Sequence, residues 1–147
     1  MRRLILGLIL VLGNVAVGWT LPIADVKEIN KDGIPIYYLS GVVVTVSGVV
    51  TVANRNFATS GIDFYLQDAT GGIRISKRRA GFISVEVGDS VTVTGWIDVD
   101  ELSWPYSGNT KLVPLSTNDV VVVGKGTIPE PVLIGALDLR REVTPPN

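Results

Sequence analysis

Apolar and polar residues alternate with a period of two through most of the chain after residue 40, and no long stretch shows a helical stripe. Such alternation is typical of strands that bury one face. The alternating runs are rich in β-branched residues and are separated by Gly, Pro, Asn and Asp. Five strands are predicted: Val42–Val52, Ile62–Gln67, Ile73–Ser76, Ser90–Val99, and a last strand made of Lys111–Leu115 and Val120–Val123, interrupted near Pro114–Asp119.

The phase of the alternation assigns side chains to the two faces of each strand. It places one set inside: Ile62, Phe64, Leu66, Ile73, Ile75, Val91, Val93, Ile97 and Val99. It places another set outside: Asp63, Tyr65, Gln67, Arg74, Ser76, Thr92, Thr94 and Trp96.

The connections carry their own predictions. Gly48 interrupts the first strand and indicates a bulge or sharp bend. Asp68–Gly72 forms a tight turn, because Asp bonds to its own backbone and glycine accepts positive φ. Lys77–Val87 is either a short helix or an irregular cover, and Val132–Arg141 either forms a short terminal helix or leads toward a partner.

The strand order and loop lengths predict an all-β fold, a five-stranded OB-fold Greek-key barrel. A first strand with a bend at Gly48 is required there, because that strand pairs in both halves of the barrel. The predicted organisation is a signal peptide at 1–18, a lead-in segment at 19–40, the barrel at 41–124 and an exit segment at 125–147.

The amino terminus predicts export. Two arginines precede an apolar run from Leu4 to Val17, and small residues at Ala16 and Gly18 suit cleavage before Trp19. A spanning helix needs about 20 apolar residues, so an uncleaved anchor is the weaker alternative and no stable membrane insertion is expected after cleavage. The absence of Cys excludes disulfides and a lipidated Cys. The expected location is secreted or periplasmic.

Charge and composition limit the chemistry. Cleavage after residue 18 removes two of the 13 basic residues, leaving 11 against 14 acidic ones and a net charge of −3. Any affinity for phosphate must therefore come from a local patch. The chain has no His or Cys and no G-x-S-x-G motif, so the usual zinc ligands, imidazole base and activated nucleophiles are missing. A non-catalytic protein without cofactor or metal is expected.

Several short strings carry a family resemblance: Gly48–Thr51, Phe64–Asp68, Gly71–Ile73, Gly88–Gly95 and a closing Gly124–Pro131. Over roughly residues 40–131, the chain resembles the OB-fold domains attached to secreted bacterial nucleases and related exported multidomain proteins. In that family the domain accompanies a catalytic module, and this chain contains none. The resemblance implies the fold and the exported setting more than a function, because its residues are mainly turn and core positions.

A binding platform is predicted on the outer face of the second and third strands, where OB-folds hold their ligands. Aromatic faces stack on bases, and arginine and lysine contact phosphate. The candidate ligand-binding residues are Tyr65, Gln67, Arg74 and Ser76 on the face, Lys77, Arg78 and Arg79 at its rim, and Arg55, Trp104 and Tyr106 in the flanking loops. The expected function is a secreted module that binds single-stranded DNA or RNA without sequence specificity.

Each of these residues has a structural alternative. Tyr65 could act as a cross-strand partner, Lys77–Arg79 as a solvated strand end, and Trp104–Tyr106 as a cap on the barrel mouth. Asp68 and Asp89 are interpreted as turn residues. Asp98, Asp100 and Glu101 would repel phosphate or, as a weaker alternative, hold calcium without EF-hand spacing. The alternative function is an exported structural module, or one that recognises a protein or glycan partner.

Overall fold

The computed structural model describes residues 19–54, 60–100 and 109–131. These residues form six β-strands and one short helix, so the predicted all-β class is confirmed. The predicted signal peptide and the segment beyond residue 131 lie outside the described residues. No helix in the described part of the chain is long and apolar enough to span a membrane. The elements are α1 (Ile23–Val26), β1 (Val43–Val52), β2 (Ile62–Gln67), β3 (Gly72–Lys77), β4 (Asp89–Val99), β5 (Thr110–Pro114), a 3-10 turn (Thr117–Asp119) and β6 (Val120–Lys125).

The strands close into a barrel. β1 pairs antiparallel with both β2 and β4, β2 pairs with β3, β3 runs parallel to β5, and β5 returns to β4. β5 pairs with only one half of β4, and β6 pairs with the other half. β5 and β6 are therefore two halves of one interrupted strand, as predicted. The result is a closed five-stranded barrel whose strand order is consistent with an OB-fold.

The barrel interior follows the predicted alternation. Buried apolar side chains come from β1, β2, β3, β4 and β5. The predicted inward residues of β2 and β3 are all buried, as are those of β4 except Val99, which is half-buried. Asp63, predicted to point outward, is nevertheless buried.

The bend in β1 differs from the prediction. β1 pairs with β4 without interruption from Val43 to Val49, so the predicted bulge at Gly48 is wrong. The irregularity lies between Val50 and Val52, in the pairing with β2. Gly48 instead provides space, because a Cβ there would lie 2.5 Å from the carbonyl oxygen of Gln67. The glycine thus permits a close backbone approach where β1 passes from β4 to β2.

The segment between β3 and β4 is an irregular cover. Residues 78–88 contain no helix, so the short-helix alternative is wrong. Val85 is buried in the core and Ile83 packs against it. Asn54 holds this segment: its side-chain amide donates to the Ile83 carbonyl at 2.9 Å and accepts from the Asp63 N–H at 2.8 Å.

The lead-in segment completes the core. Ile23 and Val26 of α1 are 0% exposed and belong to the same apolar cluster as the barrel strands. The turn between β2 and β3 holds the helix, because Asp68 accepts from the Ile23 N–H at 2.8 Å and the Thr70 hydroxyl accepts from the Ala24 N–H at 3.0 Å. Asp68 also accepts hydrogen bonds from Thr70 and Gly71. Its predicted role as a turn residue is confirmed.

A substitution at Gly95 can test how tightly the barrel is packed. A Cβ at this buried position of β4 would collide with the carbonyl oxygen of Val113. We expect Gly95→Ala to lower the free energy of unfolding by about 1–3 kcal/mol, as overpacking does. Gly71→Ala is the control, because its Cβ would meet nothing closer than an Ile23 methyl group at 3.8 Å. Equal stability of the two variants in urea unfolding would contradict this packing.

Asp68 also predicts how stability depends on pH. Partial burial opposes its charge, but the hydrogen bonds from Thr70, Ile23 and Gly71 outweigh that effect and lower the pKa of Asp68. A lowered pKa stabilises the folded protein above the unfolded pKa, about 3.9, and this stabilisation is lost as pH falls through the folded pKa.

We therefore expect Asp68→Asn to be less stable than the wild type at neutral pH, with a difference that shrinks below about pH 4. Urea unfolding at both pH values measures it, and the exposed Asp32→Asn serves as the control. A deficit of the same size in acid would show that the charge of Asp68 contributes nothing.

Candidate functional site

One row of polar side chains crosses four strands of the barrel. Tyr65 of β2 pairs with Arg74 of β3, Arg74 with Lys111 of β5, and Lys111 with Asp98 of β4. Side chains at paired positions on one face of a sheet lie close enough to interact. The register therefore brings these four residues together on the outer surface, although they are widely separated in sequence.

Arg74 is held by two carboxylates. Its Nε and Nη2 donate to Asp63 at 2.7 and 2.9 Å, and its Nη1 donates to Asp100 at 3.0 Å. Asp63 is only 4% exposed, so its charge needs such a partner. The hydrogen bond to Asp63 raises the pKa of Arg74 against the opposing effect of burial. Arg74 thus holds the two carboxylates in place. The alternation pattern does not predict the pair between Asp63 and Arg74, because these residues lie at diagonal rather than directly opposed positions of β2 and β3.

Lys111 extends this arrangement. Its Nζ lies 3.1 Å from Asp100 and 3.3 Å from Asp98. Asp63, Arg74, Asp100, Lys111 and Asp98 form one connected set, which we call the ion-pair network. Three carboxylates face two cations there, so the centre of the predicted platform carries no excess positive charge.

The cations at the end of β3 are placed differently. Lys77 donates to the carbonyls of Pro114 and Leu115 at 2.9 and 2.6 Å, and its Nζ lies 5.9 Å from the centroid of the Trp96 ring. Because both of these acceptors are neutral carbonyls, these hydrogen bonds do not cancel the positive charge of Lys77. Arg78 and Arg79 follow in an exposed turn, where Arg79 has a positive φ of 55°.

A groove of about 500 Å³ joins Lys77 and Arg78 to aromatic side chains, whereas Arg79 is not among the residues that line it. Trp96, at an outward position of β4, is 46% exposed in it, and Tyr38 reaches it from the lead-in segment. Neither was among the predicted site residues, because their meeting depends on how the lead-in segment packs on the barrel. The groove is lined by Tyr38, Arg74, Ser76, Lys77, Arg78, Trp96, Asp98, Val99, Asp100, Lys111 and Val113.

Two of the predicted face residues, Gln67 and Tyr65, do not line this groove. Gln67 lines a separate cleft of about 530 Å³ beside Ser47 and Ser90, and Tyr65 is half-buried next to Arg74. Arg55, Trp104 and Tyr106 lie outside the described residues. The structure therefore brings Arg74, Ser76, Lys77 and Arg78 into one groove but places Gln67 in another.

Asp89 has a structural role. Its carboxylate accepts from the Lys125 Nζ at 2.6 Å and from the Glu86 N–H at 2.9 Å. These bonds, that from Lys125 foremost, lower the pKa of Asp89. Its predicted role as a turn residue is confirmed.

Metal binding finds little support in the described residues. Among residues 19–54, 60–100 and 109–131, no group of three His, Cys, Asp or Glu side chains could hold a metal ion. Asp98 and Asp100 both form ion pairs with Lys111. Glu101 lies outside the described residues.

The coupling between Asp63 and Arg74 is open to a double-mutant cycle. We expect Asp63→Ala to lower the free energy of unfolding by roughly 2–3 kcal/mol, because it leaves a half-buried guanidinium without its main partner. Arg74→Ala should cost a similar amount, and the double variant less than the sum. Exposed Asp25→Ala is the control. Additive losses in urea unfolding would contradict the coupling.

Comparison with protein-family models and with curated protein sequences finds no significant match to this chain. The chemistry of the groove is therefore the basis for a functional proposal.

Proposed function

We propose that this protein is an exported, non-catalytic OB-fold module that binds single-stranded nucleic acid in the groove on the outer face of β3, β5 and β4. The observation that carries the proposal is the combination of two aromatic side chains with an excess of cations. Trp96 and Tyr38 line the same groove as four basic residues and two carboxylates. Such a combination suits a ligand with planar rings and negative charges.

The barrel topology supports the OB-fold assignment. β1 pairs with both β2 and β4, and a parallel β3–β5 contact closes the barrel. OB-folds of this kind bind oligonucleotides and oligosaccharides on the outer surface of the barrel. The apolar run of residues 4–17 after two arginines supports export.

The groove assigns a role to each part of the ligand. Bases stack on Trp96 and Tyr38, each contact contributing about 1–3 kcal/mol. Phosphates meet Lys77, whose ammonium group donates to two neutral carbonyls, and Arg78, which is exposed. Arg74 supports the groove wall by holding Asp63 and Asp100, rather than binding phosphate itself. Because stacking tolerates any base, binding along most of the strand is independent of sequence.

A glycan is the second candidate ligand. The ion-pair network balances most of the charge in the groove and leaves Trp96 exposed beside carboxylates. A neutral sugar could stack on the indole ring and donate its hydroxyl hydrogens to Asp98 or Asp100. Salt separates the candidates, because only phosphate contacts release counterions.

Trp96 and Arg78 provide the test, by fluorescence anisotropy of labelled single-stranded DNA and RNA at low and moderate salt. We expect salt-sensitive binding that Trp96→Ala weakens roughly 5- to 150-fold, through loss of a stacking surface. Arg78→Glu should weaken binding of every sequence and reduce its salt dependence.

Two substitutions outside the groove are matched controls: Trp19→Ala, at a ring that is 92% exposed, and Lys31→Glu in the lead-in segment. Neither should change affinity. Absence of binding at low salt would refute the nucleic-acid proposal. Salt-insensitive binding of a neutral glycan that Trp96→Ala abolishes would favour the second candidate.

A further inference from the structure

A second cavity adjoins the groove. It has a volume of about 420 Å³ and is mostly apolar. Tyr38, Trp96 and Asp98 line both cavities, so the two spaces are neighbours on either side of these residues. The other residues around it are Tyr37, Leu39, Gly41 and Ile97. We call this space the aromatic pocket; its volume lies in the range of pockets that hold small ring systems.

The wall of the aromatic pocket contributed by the lead-in segment is preformed. The Tyr38 N–H donates to the Pro35 carbonyl at 3.0 Å, and the Ser40 hydroxyl donates to the Tyr37 carbonyl at 2.7 Å. The Ser40 hydroxyl oxygen in turn accepts from the Val42 N–H at 3.2 Å. These bonds hold the turn that presents both tyrosines where the lead-in segment enters β1.

Among the described residues that line the aromatic pocket, Asp98 is the one charged residue. Its Oδ1 accepts from the Val99 N–H at 2.9 Å, and its Oδ2 lies 3.3 Å from the Lys111 Nζ. Lys111 thus offsets its charge, which makes a neutral ligand more suitable than a cation. Each carboxylate oxygen can still accept a further hydrogen bond, and the side chain is 40% exposed.

Trp96 therefore lies between the cations proposed to bind phosphate and the apolar pocket that can hold a ring. Lys77 and Arg78 line only the groove, whereas Tyr37 and Leu39 line only the aromatic pocket. A strand whose backbone follows the groove can place one unstacked base into the aromatic pocket. An acceptor-only carboxylate there selects bases by the N–H donors on their edges.

We propose that the aromatic pocket binds one base of the strand and prefers guanine, with thymine or uracil least favoured; this inference rests on the proposed function. Guanine offers two adjacent donors, N1–H and N2–H, to a carboxylate. Cytosine and adenine offer an exocyclic amino group. Thymine and uracil offer only N3–H, between two carbonyl oxygens that repel the carboxylate. The protein then selects the base at this one position and binds the rest of the strand independently of sequence.

The test compares short dT oligonucleotides that carry a single central dG, dC or dA, by anisotropy with the purified protein. We expect the oligonucleotide with dG to bind about tenfold more tightly than all-dT, as a bidentate base contact allows. In Asp98→Asn the difference should fall to about twofold or less, because an amide can also donate to thymine.

Asp32→Asn is the control, because Asp32 is an exposed carboxylate of the lead-in segment and lines neither the aromatic pocket nor the groove. It should keep the preference for dG. A preference that persists in Asp98→Asn, or is lost equally in Asp32→Asn, would overturn the assignment to Asp98. Equal, salt-sensitive binding of all four oligonucleotides would overturn the base pocket while leaving the proposed function intact. No binding at all would refute both.

Discussion

The pair between Arg74 and the buried Asp63 is the interaction on which the outer face of this barrel depends. A carboxylate that is almost inaccessible to water requires a charged partner, and Arg74, diagonally across the β2–β3 ladder, supplies two hydrogen bonds to it. The remaining guanidinium nitrogen reaches Asp100, whose other oxygen meets Lys111. One buried charge thereby orders side chains on four strands.

The same interaction explains where a ligand can bind. Because Asp63, Asp98 and Asp100 engage Arg74 and Lys111, the middle of the face is nearly neutral. Lys77 differs, because β5 ends at Pro114 and the chain turns before β6, which leaves two carbonyls for its ammonium group. The break in the fifth strand thus fixes a cation beside Trp96, and the candidate site lies between β3 and β4 rather than over β2.

Local pattern predicted much of the fold and less of the site. Alternation identified the inward residues of β2 and β3, and Asp68 was recognised as a turn residue, because period and turn chemistry are local properties. Asp63 was placed outside, since alternation does not show that an arginine side chain covers it. Tyr38 was missed because its position beside the barrel depends on the packing of the lead-in segment. Gly48 allows a close approach of β2 and does not form a bulge. The sequence alone does not separate these two roles, because both depend on the missing side chain of glycine.

The most direct measurement is the mapping of amide chemical-shift changes in isotope-labelled protein during titration with a short single-stranded oligonucleotide. If the groove between β3 and β4 binds the strand, the largest changes will fall on Tyr38, Lys77 and Trp96, including the indole N–H of Trp96. Changes confined to the cleft around Ser47, Gln67 and Ser90, or no changes at saturating oligonucleotide, would contradict the assignment of this groove as the binding site.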